Sequence, residues 1–414
     1  MPNQTHISFY PFKFSAIWRY SKSQPLAFWA ICSYLFIEFT RPQSIYPAID
    51  ILPWAQIFLV LSVVGGLVDK HSTLIKSRAN GYIVLFLLSV SLSTLAAIYP
   101  EQARANYHTF FIWVIVYFLI TSIINSRERF YIFFLVFFLS SVKIAFGVTK
   151  IWASRGFSFT AWGLKGPPGF FENSGELSVL MLLLFPIAYY FWEVSKSQCS
   201  KLERYICMLC WISPVIVILG ASSRGAQVAL AVQLCFIFRR HIWSLKKIIV
   251  ISVMFVSFWS LMPEEQKVRL YESGGDKSST QRLLYWSHGW EMIKEHPLSG
   301  VGFFNFSKYY EDHHREDMLY TVAQLPHNVF IQVGTDTGFP GLFLYVLIII
   351  YCLRESHKIS ASQNALEMDK VFARGLGIGL VGFIVAGQFV SIAYYPFLWI
   401  ILPMIASLAN ITRQ

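Results

Sequence analysis

Twelve apolar runs divide this chain, at about 25–40, 51–68, 81–99, 109–125, 130–149, 177–192, 205–220, 225–238, 248–262, 340–353, 375–392 and 395–410. Runs of this kind bury themselves in lipid. There a helix satisfies its own backbone, so the runs call for a bundle of membrane-crossing helices. Only 14% of the residues are charged, against roughly 25% in a soluble domain. Several runs are shorter than the roughly 20 residues that cross a hydrocarbon core. Residues 1–24 are polar and lack a small-residue cleavage site, so the first run reads as an uncleaved signal anchor. No internal repeat, low-complexity tract or soluble domain is visible. Residues 1–414 therefore read as a single all-α polytopic membrane domain of about 12 transmembrane helices.

The net charge of +11 follows the topology. Lys and Arg concentrate at one set of helix ends, including Arg19, Lys22, Lys70, Lys76, Arg127, Arg129, Lys201, Arg204, Arg239, Arg240, Lys358 and Arg374. The positive-inside rule makes those ends and both termini cytoplasmic. The surplus is a membrane signal and implies no nucleic-acid partner. The six cysteines all fall in the apolar runs or on the cytoplasmic side, so no disulfide is expected. Cys207-x-x-Cys210 enters an apolar helix and reads as packing.

Function must then lie in the outward loops, of which 150–176 and 263–338 are substantial. The long loop is amphipathic. Ser278-Ser-Thr280 reads as a cap, and Leu283, Leu284, Ser287, Trp290, Met292 and Ile293 form an approximate helical stripe. A Gly- and Pro-rich turn follows at 296–302, and a second helix is expected near Phe306. Trp286 and Trp290 suit the headgroup level. The loop 150–176 carries Lys150, Arg155 and Lys165, which suit an anionic ligand, although a solvated loop explains each of them alone.

The chemistry-bearing candidates are few. Pro326 suits the first turn of a helix, which places His327 near the positive end of a helix dipole, where a neutral imidazole is favoured. Arg224 stands in the turn Ser222-Ser-Arg-Gly-Ala226. The stretch Tyr205–Phe238 is too short for two full crossings, which need about 40 residues. The turn is therefore recessed, and a recessed arginine needs a partner or a polar cavity. A guanidinium beside exposed turn N–H groups suits a phosphate. Arg282 starts the loop helix and is ordinary by itself. Lys143 lies close enough to the end of its run to snorkel. The chain has no P-loop, GxGxxG, HExxH or outward Asp-x-Asp. The run Glu311-Asp-His-His-Arg-Glu-Asp317 has ligand-type residues, but a mixed charge run is ordinarily solvated. No metal and no cofactor is expected.

Several of these segments resemble the O-antigen ligases and the related O-antigen polymerases. His327-Asn328 followed by Asp336-x-Gly338 and Gly341 is similar to their outward-loop motif. Ser223-Arg-Gly-Ala226 matches as well, as does Arg282-x-x-x-Trp286 followed by His296-Pro-Leu-x-Gly300-x-Gly302. The likeness covers about 220–345. Arg41-Pro42 with Tyr46-Pro47 weakly resembles the exosortase-associated branch. Asp336 stands where the family usually has Glu, and Gly175-Glu176 follow Asn173 where small apolar residues are common.

The resemblance implies a GT-C-like membrane fold with a large helical periplasmic loop between helices 9 and 10, in a bacterial inner membrane. It implies a metal-independent, inverting glycosyltransferase that moves a glycan from undecaprenyl diphosphate to an acceptor hydroxyl on the periplasmic face, with lipid A-core as the first acceptor to consider. A polysaccharide polymerase and a protein O-glycosylation ligase are the alternatives within the enzyme class. His327 would be catalytic, and Arg224 and Arg282 would hold the diphosphate. Asn328, Asp336 and Arg155 are possible supporting residues. A transporter of lipid-linked glycans could use the same arginines without chemistry, but internal repeats and broken midplane helices are not evident.

Overall fold

The computed structural model describes residues 14–160, 163–238, 267 and 275–413. The ninth apolar run at 248–262, the basic cluster at 239–247 and the first part of the long loop lie outside the described residues. Within them the chain forms helices and no strand. These are α1 (Phe14–Lys22), α2 (Leu26–Thr40), α3 (Pro42–Ile45), α4 (Trp54–Val68), α5 (Arg78–Leu95), α6 (Pro100–Ile123), α7 (Arg127–Ser154) and α8 (Ser174–Ser195). They continue with α9 (Lys201–Gly220), α10 (Arg224–Phe238), α11 (Lys277–Glu295), α12 (Phe306–His313), α13 (Val329–Ala361), α14 (Glu367–Ala386) and α15 (Pro396–Ile411).

Six of them, α5 to α9 and α13, are long and apolar enough to cross a membrane, while α4, α10 and α15 are apolar but shorter. A multi-pass membrane protein is what these helices define. The apolar runs coincide with helices wherever the chain is described, apart from a few residues at their ends such as 51–53 and 96–99. The run 375–392 includes 387–392, which is a loop after α14 rather than helix.

At the centre stands α15, apolar all round and buried along almost its whole length, as a helix without a polar face must be. It packs on α6, α13 and α14, and α14 packs broadly on α8. Aromatic rings lock this centre: Trp399 meets Phe110 at 4.8 Å and Phe86 at 5.7 Å. Gln233 on α10 donates its amide to Leu182 O of α8 and Ile378 O of α14, at 2.8 and 2.9 Å. That contact fixes α10 against the centre and satisfies the buried amide nitrogen of Gln233.

Two expectations need correction. The long loop ends at Asn328, not at 338. Asn328 caps α13 by accepting the N–H groups of Phe330 and Ile331, so Pro326 and His327 precede the helix instead of opening it. The apolar segment 329–333 is already helical, and Gly338 with Pro340 kinks the helix without ending it. Likewise α11 begins at Lys277 and is capped by Asp276, not by Ser278–Thr280. Its buried face is Gln281, Tyr285, Gly289, Met292 and Ile293, whereas Leu283 is exposed. Each position is set by tertiary packing against α12 and α13, which periodicity alone cannot locate. The second loop helix starts at Phe306, as expected.

The segment 296–304 docks onto the kink of α13. Val301 N–H donates to Thr335 O at 2.8 Å, and Phe339 N–H to Pro297 O at 2.8 Å. Gly300 and Gly338 both have left-handed backbones. A Cβ at Gly300 would lie 2.1 Å from Thr335 O, and one at Gly338 would lie 2.6 Å from Pro297 O. Only glycine permits that conformation at that approach. The two motif segments are thus halves of one joint.

Candidate active site

A cavity of about 1110 Å³ opens at the end of the bundle where α8, α10, α11 and α13 begin. Arg224, Arg282 and His327 line it together. So do Ser174, Gly175 and Glu176 from the start of α8, Gly225 and Ala226 from the start of α10, and Asp276, Ser278 and Ser279 from the start of α11. Each helix start carries about half a positive charge. Lys165 lines the cavity too, so of the three cations in loop 150–176 one reaches it. Dipoles and side chains together suit this cavity to an anion.

Arg224 is the first residue of α10, set there by the turn after α9 in which Ser222 takes a left-handed backbone. Its guanidinium forks onto Asp276, with Nη1 to Oδ1 at 3.1 Å and Nη2 to Oδ2 at 3.2 Å. The Arg224 guanidinium holds the Asp276 carboxyl well below the usual carboxylate range. Asp276 also accepts from the Ser279 hydroxyl at 2.6 Å. One carboxylate therefore caps α11 and pairs with the arginine of α10.

Arg282 lies one to two turns into α11. Its Nε is buried without a hydrogen-bond partner among the described residues. Burial first, and then the nearby Arg224 charge, push its pKa down. Two guanidinium groups that disfavour each other in one polar cavity suit a ligand with more than one negative charge.

His327 is half-buried and has φ 51°, a left-handed backbone unusual outside glycine. Three contacts impose it. Its N–H donates to Ser391 Oγ at 2.7 Å, Nε2 lies 2.9 Å from Gln324 Oε1, and the preceding Pro326 carbonyl accepts the Trp286 indole N–H at 2.9 Å. With Gln324 Oε1 accepting, Nε2 carries the proton and Nδ1 keeps a lone pair. Burial, and then the Arg282 charge, push the ring down to about 4. The imidazole is neutral at neutral pH. A neutral ring was expected from a place in the first helical turn; here burial and Arg282 favour it instead, since His327 precedes the helix.

The supporting candidates separate. Asn328 is buried and holds α13: besides capping, it donates to Gln388 Oε1 at 3.1 Å. Asp336 is 1% exposed and lies in the joint beneath the site, accepting Phe304 N–H at 3.0 Å, while Ser93 Oγ donates to its carbonyl. Arg155 is exposed at the end of α7 and does not line the cavity. Sequence reasoning missed Asp276, Gln324 and Ser391. Asp276 carried a signal, since an acid just before Ser-Ser-Thr is a natural cap. Ser391 carried none, because 387–392 reads as helix.

A polytopic helical membrane protein with a cationic cavity at one end is the class that this fold and site define. Within it, residues 208–346 match the O-antigen ligase family. Arg224, Arg282 and His327 all fall inside that match. Residues 9–196 match a family of unknown function. No curated protein matches the chain. The family match supports a ligase- or polymerase-type function acting on lipid-linked glycans in a membrane.

Proposed function

We propose that the chain is a metal-independent, inverting glycosyltransferase that moves a glycan from undecaprenyl diphosphate to an acceptor hydroxyl at the periplasmic face of a bacterial inner membrane. One observation carries the reading: Arg224, Arg282 and His327 line one cavity at which four helices begin. The donor's lipid would lie along the bundle, its diphosphate between the arginines, and its sugar in the cavity. Lipid A-core is the acceptor we infer first. The chain would make twelve crossings, with 263–328 as a periplasmic cap and both termini cytoplasmic.

In the reaction, His327 Nδ1 takes the proton of the acceptor hydroxyl. The acceptor oxygen bonds to the anomeric carbon from the face opposite the diphosphate. The bond from that carbon to the phosphate oxygen breaks, and undecaprenyl diphosphate leaves with the electron pair. Arg224 and Arg282 neutralise the charge that develops there. Before the donor binds, Asp276 occupies the Arg224 fork, so donor binding exchanges a carboxylate for a phosphate.

His327→Ala is expected to abolish transfer from lipid-linked donor to acceptor in purified form while leaving expression near normal, because a half-buried ring outside the core adds little packing. Turnover close to wild type in that assay would remove His327 from the chemistry.

A further inference from the structure

His288 on α11, His314 at the end of α12 and Asp317 in the 3-10 turn Arg315–Asp317 each place one ligand atom within 4.8 Å of the others. None of the three lines the cavity. His288 Nε2 lies 3.0 Å from Asp317 Oδ2. The His288 and His314 rings approach to 4.0 Å between centroids, and Tyr310 packs on both. On the far side of the His288 ring, Nδ1 lies 3.4 Å from Glu291 Oε2 without the alignment of a hydrogen bond.

Two imidazoles this close repel when both are charged. Two imidazoles beside a carboxylate are a borderline-soft donor set of the kind that zinc takes. The His288–Asp317 contact alone would be an ordinary ion pair; a second histidine stacked on the first makes it a three-ligand cluster.

We propose that His288, His314 and Asp317 bind one Zn²⁺ ion that ties α11 to the segment carrying α12 and the 3-10 turn. Ligand bonds of about 2.0–2.2 Å put tetrahedral donor atoms roughly 3.4 Å apart, so the cluster closes with small side-chain shifts. Water completes the fourth position. Glu291 then accepts from His288 Nδ1–H, which leaves Nε2 to the metal, the usual outer-shell arrangement of a ligating histidine. α11 carries Arg282, and the chain beyond Asp317 leads to His327, so the ion would stiffen the frame of the cavity without entering it.

The test is titration of ZnCl₂ into the full chain in detergent, purified without a polyhistidine tag and stripped by chelator. About one equivalent is expected to bind, with a rise in Tm. His314→Gln and Asp317→Asn are expected to weaken binding at least tenfold and to lose the rise in Tm, while His313→Gln, whose Nδ1 faces its own helix carbonyl at Tyr309, stays as wild type. Asp317 is partly exposed, so its variant reads out even if a histidine variant misfolds. No saturable binding, or equal binding in wild type and Asp317→Asn, would overturn the site. The readout is metal bound per chain, so it stands apart from any result on glycan transfer.

Discussion

At the residue scale the cavity is defined by how each charge is held. Arg224 is fixed by a two-pronged pair, Arg282 by burial in the side of α11, and His327 by three hydrogen-bonded contacts around a strained backbone. A lysine in place of Arg224 keeps the charge but meets one oxygen at a time. Losing one charge-assisted bond costs roughly 1.5–3 kcal/mol, or about ten- to a hundredfold in donor affinity or rate. Arg224→Lys is therefore expected to be severe. Lys143→Arg, an exposed position on α7 away from the cavity, is expected to be silent. Transfer kinetics measured side by side decide this, and an active Arg224→Lys would misplace the diphosphate. The His327 ring adds a pH signature. Held down to about 4, it is neutral at higher pH and gains its proton only as pH falls through that value. The acid limb of kcat/KM should therefore lie well below 6.5, where an ordinary histidine titrates. An acid limb near 6.5 would show a solvated ring.

At the element scale the decisive feature is the joint between segment 296–304 and the kink of α13. It positions α11 over the bundle and so brings Arg282 beside Arg224. Asp336 belongs to this joint. Asn in its place can still accept Phe304 N–H through its amide oxygen, whereas Ala leaves that N–H unpaired in a buried place, at a cost of about 1–3 kcal/mol. Asp336→Asn is expected to keep most turnover and stability, and Asp336→Ala to lower Tm clearly. Tm and kcat of the two variants in detergent check it. Lost turnover in a stably folded Asp336→Asn would make Asp336 part of the chemistry. The glycines of the joint were legible as turn residues, but their role in a close approach was not, since each one's neighbour lies far along the chain.

At the scale of the whole molecule, one end of the bundle gathers four helix starts, three cations and the His327 ring around a single cavity. The loop 387–395 closes that end from beneath. Ser391 holds the His327 backbone, and Phe389 packs near Trp286 at 6.4 Å. The largely apolar, buried α15 provides the rigid centre against which these starts are levelled. A site on the ends of packed helices is held more firmly than one on free loops.

That the described chain is helical, and roughly where its apolar helices lie, was written in hydropathy, because a lipid-facing or buried helix must be apolar along its length. Span length singled out Arg224 and the Pro-His-Asn segment singled out His327, and both line one cavity. Other features were not local. Where α13 begins depends on Asn328 bonding two N–H groups and on Gln388 beside it. Which face of α11 is buried depends on α12 and α13 lying against it. That Arg224 pairs with Asp276, and that Asp336 stands in a joint rather than in the cavity, follow from contacts between residues distant along the chain. Periodicity reports one helix at a time, while the tertiary structure decides which helix ends meet.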